Sequence, residues 1–192
     1  MKRKHEAAVH KATNLYWEKG FHATSMRNLQ EVINMRPGSI YASFGSKEAL
    51  FKESLRHYAK MSLAQITRFK DMTSSPLEVL KMLMKSSVIE NRQSAPSGMC
   101  MLVKTIAELT EENAELLAEA KRLLHAVEQA LTVLIDEAKA CGELDPSKDS
   151  ARVARFFQVQ LIGVRTYARA NDNEEAVNEL IEDVFKSIPL RP

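Results

Sequence analysis

Apolar residues recur along this chain at three- and four-residue steps, the period of an amphipathic helix. Val9, Ala12, Tyr16 and Gly20 open the series and predict a helix over 3–19 that Gly20 stops. A short turn, FHATSM, follows, in which Thr24 or Ser25 is placed to cap a second helix over about 25–33. That helix would bury Met26, Leu29 and Ile33. Asn34 comes next, a residue that tolerates the left-handed backbone needed just past a helix end. Pro37 suits the first position of a third, short helix, because its missing N–H would have no intrahelical partner there. Gly45 ends it, and Ser46 is placed to cap a fourth helix from 47 to about 70, with Glu48 in its positive first turn.

The same period continues to the far end. TSSP at 73–76 and SAPSG at 94–98 bracket a helix over 77–93, and a shorter apolar segment spans 99–108. Thr110 is placed to cap a long helix reaching about 140. Its Leu117, Ala120, Leu124, Val127, Leu131, Leu134 and Ala138 form a heptad-like seam. Beyond the loop ELDPSKD, two helices are predicted over 148–169 and 174–188. Asp172 or Asn173 would cap the last, with Glu175 placed for a capping box. The fold class expected is all-α, with nine helices. Residues 1–46, holding the three short helices, form one expected domain and residues 47–192 the second. The fourth helix carries the boundary, so no flexible linker is expected.

Composition agrees with this picture, since six Gly and six Pro in 192 residues leave few breakers. No stretch has the apolar length of a membrane span. Lys2, Arg3 and Lys4 lead into His5 and Glu6 and not into an apolar core, so no signal peptide is expected and the location expected is cytoplasmic. Two cysteines, Cys100 and Cys141, make neither a disulfide framework nor a metal site. Five histidines are scattered at 5, 10, 22, 57 and 125, and no Gly-rich phosphate loop or nucleophile elbow is present. Neither an enzyme nor a cofactor is expected.

Charge adds a direction. Residues 1–60 hold 11 Lys and Arg against 5 Asp and Glu, and the remainder 16 against 20. A basic first third on an acidic remainder suggests a polyanionic partner, although charge alone also fits an ordinary solvated face.

The stretch NMRPGSIYASFGSKEALF, residues 34–51, gives the charge a site. Two short helices joined by the tight turn Asn34–Pro37 have the layout of a helix-turn-helix, whose second helix enters the major groove. Gly38 and Ser39 are small enough for close approach, and Arg36 can donate to phosphate or bidentately to guanine. Tyr41 carries a hydroxyl within reach of a phosphate, and Lys47 joins a cation to free amides at a helix N-terminus. Ile40 and Phe44, four residues apart, should face the core.

WEKGFHATSMRNL followed by PGSIYASFGSKEALF resembles the N-terminal signature of the TetR (tetracycline repressor-like) family of transcriptional regulators. The likeness runs from about Ala8 to Phe51. The family often has Gly where this chain has Asn34, which tolerates the same backbone geometry. The resemblance implies a nine-helix homodimer whose first three helices bind double-stranded DNA at a palindromic operator. The remaining helices would dimerise and bind a small apolar or electrophilic effector that releases the repressor from DNA. It places Thr24, Arg27, Arg36, Pro37, Gly38, Ser39, Tyr41, Ala42, Ser43 and Lys47 at DNA-facing positions. Of these, Thr24, Tyr41 and Lys47 match phosphate contacts, and residues 36–39, 42 and 43 the groove surface.

In the helix over 148–169, Ala154, Phe157, Leu161, Val164 and Ala168 share one face, as Val177, Leu180, Ile181, Val184 and Ile188 do in the last helix. Phe156, Val159, Gly163 and Phe185 add apolar or small surface elsewhere, as a dimer interface or a well-buried terminal hairpin would require. For the effector, Met61, Met82, Met99 and Met101 are candidate pocket residues, against the alternative of core filler. Cys100 is a candidate oxidant or electrophile sensor with Lys104 as the nearby cation, against the alternative of a small buried hydrophobe. The competing functions are a helical adaptor and an activator without small-molecule induction.

Overall fold

A computed structural model of the protein describes residues 2–91 and 94–188. Nine α-helices and no strand occur among them: α1 (Lys2–Lys19), α2 (Met26–Ile33), α3 (Pro37–Phe44), α4 (Lys47–Lys70), α5 (Pro76–Lys85), α6 (Met101–Glu108), α7 (Ala114–Ala140), α8 (Ser150–Ala170) and α9 (Glu174–Ser187). Residues 92 and 93 of the expected fifth helix, and residues 1 and 189–192 of the two expected domains, lie outside the described residues. No helix among the described residues is long and apolar enough to cross a membrane.

The helix ends show which capping choice won. Ser25, not Thr24, caps α2: its hydroxyl accepts from the Asn28 amide at 3.2 Å, and the Asn28 side chain accepts from the Ser25 amide at 3.1 Å. Asn34 takes the left-handed conformation, φ 59°, and its amide closes on the Gln30 carbonyl. Ser46 accepts from the Ala49 amide at 3.0 Å. Asn173 caps α9 by accepting from the amides of Glu175 and Ala176. Thr110 makes no side-chain cap, and the chain enters α7 through a 3-10 turn, Glu111–Asn113.

The helix expected over 77–93 ends as an α-helix at Lys85 and widens into a π-helical turn, Ser86–Glu90. The buried Ser86 hydroxyl anchors that turn, accepting from Gln65 at 2.8 Å and from Asn91 at 3.0 Å. Apolar spacing carries no signal for such an insertion, because one extra residue only shifts the phase.

The chain divides into two packing units, residues 1–61 with 100–124 and residues 62–99 with 125–192. In the first, Tyr16, Leu29, Ile40 and Phe44 of the short helices do not close a core alone. Leu50, Phe51 and Leu55 of α4, Met101 and Leu102 of α6, and Leu116 and Leu117 of α7 complete it. Phe51 packs its ring 4.7 Å from Tyr16 and 4.9 Å from Phe21. The second unit is built on Val79, Leu80, Met84, Leu131, Ile135, Phe157, Ile181 and Phe185. The α7 seam is shared: Leu117 and Ala120 belong to the first core, and Leu131, Leu134 and Ala138 to the second.

Candidate nucleic-acid interface

The short α3 has two faces. Of its eight residues only Ile40 and Phe44 are buried, and Pro37, Gly38, Ser39, Tyr41, Ala42 and Ser43 are exposed. Arg36 stands exposed at the N-cap with no side-chain bond across the helix end. Tyr41 leaves half of its surface, 50%, in solvent. A Cβ placed on Gly38 would meet nothing within 4 Å, so nothing inside the protein requires a glycine there. The small residue leaves room on the outer side, where a partner's backbone would come.

Lys47 begins α4 and is half-buried, its ammonium 4.3 Å above the centre of the Phe21 ring. Burial holds that ammonium below the ordinary lysine range, against the opposing charges of Glu48 and Glu108. The backbone carbonyl of Lys47 accepts from the Tyr16 hydroxyl at 3.2 Å. That hydroxyl is itself pushed upward in pKa, first by burial and then by Glu48.

Arg27 is exposed on α2 and paired with Glu31 at 3.1 Å. Thr24, expected among the phosphate contacts, is wholly buried, and its hydroxyl donates to the Gly20 carbonyl at 2.6 Å. Its oxygen plugs the turn between α1 and α2, and the exposed hydroxyl beside it belongs to Ser25. Two further cations, Lys4 and Lys11, stand on α1. Both line a cleft of about 820 Å³ together with Met35, Ala42 and Ser43, so α1 adds two cations beside α3. Seven residues apart on a helix, they read from sequence as an ordinary solvated face.

The turn that sets α1 against α2 is held by α6. Gly20 sits at φ 88°. The Glu108 carboxylate accepts from the amides of Phe21 at 3.0 Å and His22 at 2.7 Å. One turn earlier on α6, Lys104 donates to the carbonyls of Trp17 at 2.7 Å and Glu18 at 2.9 Å. The two side chains thus meet both the last carbonyls of α1 and the first amides beyond it.

The Lys104 ammonium, the cation expected near Cys100, donates to α1 carbonyls. Cys100 is half-buried, at the N-cap of α6 against the first core. Met101 is core of the first unit and Met61 is exposed there, whereas Met82 packs on the second core and Met99 is half-buried in the second unit. Of the dimer candidates, Phe185 is buried in its own core and Phe156 packs against it. Val159 is 64% exposed, and Gly163 faces open space. Tyr167, which continues the four-residue step from them, and Leu180 on α9 are exposed as well.

The family model described as bacterial regulatory proteins, tetR family, matches residues 8–54. The one described as tetracyclin repressor-like, C-terminal domain, matches residues 76–184. The HTH-type transcriptional repressor ComR of Escherichia coli (strain K12) is 25% identical over 194 residues, covering 96% of this chain and 88% of ComR. A TetR-family transcriptional regulator from Cytophaga hutchinsonii superposes with a TM-score of 0.86 at 21% identity, covering 99% of this chain and 96% of its own. A cysteine mutant of the TetR-family regulator CifR, solved in complex with 26bp double-strand operator DNA, superposes with a TM-score of 0.84 at 24% identity, with 96% of each chain covered.

Proposed function

Because this chain belongs to the tetR family of bacterial regulatory proteins, we infer that it is a homodimeric cytoplasmic repressor that sits on a palindromic operator and leaves it when a small molecule binds. The observation that carries the reading is the division of α3 into two inward anchors and six exposed residues. A helix of that kind enters a major groove with its backbone close to the bases. Arg36 reaches guanine edges, Gly38 and Ser39 permit approach, and Pro37, Ala42 and Ser43 complete the groove surface. Tyr41, Arg27 and Ser25 contact phosphates, joined by Lys4 and Lys11 from α1. Lys47 swings from the Phe21 ring to a phosphate at the start of α4, where free backbone amides add to its charge. Thr24 serves from inside by fixing the turn.

Twofold pairing follows from the exposed apolar stripe Val159, Gly163 and Tyr167 with Leu180, and it explains the palindrome. On this reading residues 1–46 are the DNA-reading segment and residues 47–192 bind the effector and dimerise. The second unit, with Met82 and Met99 as adaptable lining, takes the effector. Release requires that the effector bind the DNA-competent and DNA-incompetent states unequally. ComR carries the name of a repressor, and CifR was solved on operator DNA, which supports both halves of the reading.

The test is a gel shift on the DNA upstream of the protein's own gene at fixed salt. Arg36→Ala and Tyr41→Ala should each weaken specific binding by roughly tenfold or more, the scale of one lost base or phosphate contact. Unchanged specific binding by the double variant would sink the reading.

A further inference from the structure

Within the second unit, the π-helical turn, the segment at 97–98 and the later half of α8 enclose a small polar cleft of about 130 Å³. Its polar lining is Ser87, Asn91, Ser97, Arg165 and Arg169. We propose that this cleft is an oxyanion site, built to hold a phosphate or carboxylate group of the effector. The effector half of this proposal rests on the ligand-responsive reading above; the site itself does not.

Arg165 and Arg169 stand four residues apart on one helix face, where two like charges repel. Nothing in the cleft neutralises them: no Asp or Glu lines it among the described residues. Both are nevertheless tethered in place. Arg165 Nε donates to the Gly98 carbonyl at 3.3 Å, and Arg169 Nη1 donates to the Ser97 hydroxyl at 3.1 Å. Each tether uses one N–H of a guanidinium that carries five, so each fork keeps donors for a planar or tetrahedral anion. Ser97 is almost fully buried and its oxygen also accepts from the Met99 amide at 3.3 Å, which fixes the floor.

Another wall is the π-helical turn, a distortion frequently found at functional sites. Here the anchor Ser86 accepts from the Asn91 side chain at 3.0 Å, holding the turn beside the two arginines. The volume is that of about four waters, which suits a single oxyanion group and is too small for a bulky apolar ligand. Size, charge and hydrogen-bond donors therefore point to the same class of ligand.

The experiment uses the full-length protein with inorganic phosphate and, separately, acetate at constant ionic strength. Binding is followed by calorimetry and by the amide resonances of Asn91, Ser97 and Gly98. Saturable binding of either anion that shifts those amides is expected, and which anion binds tells free oxyanion from organic acid. The Arg165→Gln/Arg169→Gln variant should bind at least about tenfold more weakly, the scale of lost charge-assisted bonds. Lys81→Gln, on α5, should bind as the wild type does. No saturable binding of either anion, or equal affinity in the double variant, overturns the site. Should that variant unfold, the wild-type amide shifts decide alone: shifts at these three residues uphold the site and their absence refutes it. Operator release is scored separately. Anion binding that leaves the DNA complex intact upholds the site and refutes the effector role. Release by an organic acid that persists in the double variant upholds induction and overturns the site as its trigger.

Discussion

Replacing Gly20 by alanine would test how α6 holds the end of α1. The added Cβ would lie 2.5 Å from one Glu108 carboxylate oxygen and 3.0 Å from the carboxyl carbon, closer than real contacts allow. The residue would also keep a left-handed φ of 88°, which costs about 1 kcal/mol for a residue bearing a Cβ. Glu108 must then withdraw from the Phe21 and His22 amides. Bonds to a charged acceptor contribute about 1.5–3 kcal/mol each, and the exposed His22 amide recovers water, so the lost pair counts for about one such bond. Gly20→Ala should therefore cost about 2.5–4 kcal/mol in all. Once Glu108→Ala has removed the carboxylate, only the backbone cost of about 1 kcal/mol should remain. Trp17, the single tryptophan, belongs to the first unit, and its fluorescence in urea reports that unit's unfolding. A double-mutant cycle on this probe should show coupling above about 1 kcal/mol, and strictly additive effects would refute the argument.

Three further outcomes are expected. The buried Glu119 carboxylate accepts from Arg122 at 2.9 Å and from Arg56 at 2.6 Å, and its pKa is held down to about 2, first by the Arg122 bond and then, against desolvation, by Arg56. A depressed carboxylate gives stability that is present above its ordinary pKa and lost as pH falls from there toward about 2. Glu119→Gln should cost about 1–3 kcal/mol at neutral pH and flatten the acid arm of stability; an acid arm as steep as the wild type's would count against it. His57 lies 3.2 Å from His10, and its pKa is lowered by burial, then by His10 and Lys60, with Glu6 opposing. Since the unfolded chain takes up that proton more readily, the first unit should lose stability as pH falls through about 6.5, and His10→Ala should raise the His57 pKa in an NMR titration. Val159→Arg should turn the dimer into a folded monomer by light scattering, whereas Phe185→Ala should lower stability by about 3–5 kcal/mol; a Val159→Arg protein that stays dimeric removes that stripe from the interface.

Local chemistry made much of this legible in advance. Asn34, Pro37 and Gly45 each announce a backbone requirement at their own position, so the limits of α3 could be read directly, and the spacing of Ile40 and Phe44 identified its inner face. Reading failed where the deciding partner lies far along the chain. Lys104 and Glu108, four apart on an amphipathic helix, look like a solvated pair, yet their partners are 86 or 87 residues earlier. Thr24 and Ser25 are both capping types, and the depth of the α1–α2 turn separates them. The π-helical turn leaves no trace in hydrophobic period, and Phe185 could not be assigned to its own core by composition.

The contacts of α6 also bear on exchanging recognition heads between regulators of this kind. A head cut at residue 46 would arrive without the carboxylate on the Phe21 and His22 amides, without the ammonium on the Trp17 and Glu18 carbonyls, and with Tyr16 and Phe21 robbed of the Phe51 ring. A graft that keeps its fold must bring the start of α4, the whole of α6 and the first turns of α7 with it. The transferable piece is discontinuous in sequence, and chimeras joined at a single point inside α4 should read DNA only when the recipient supplies an acid and a base at the two α6 positions.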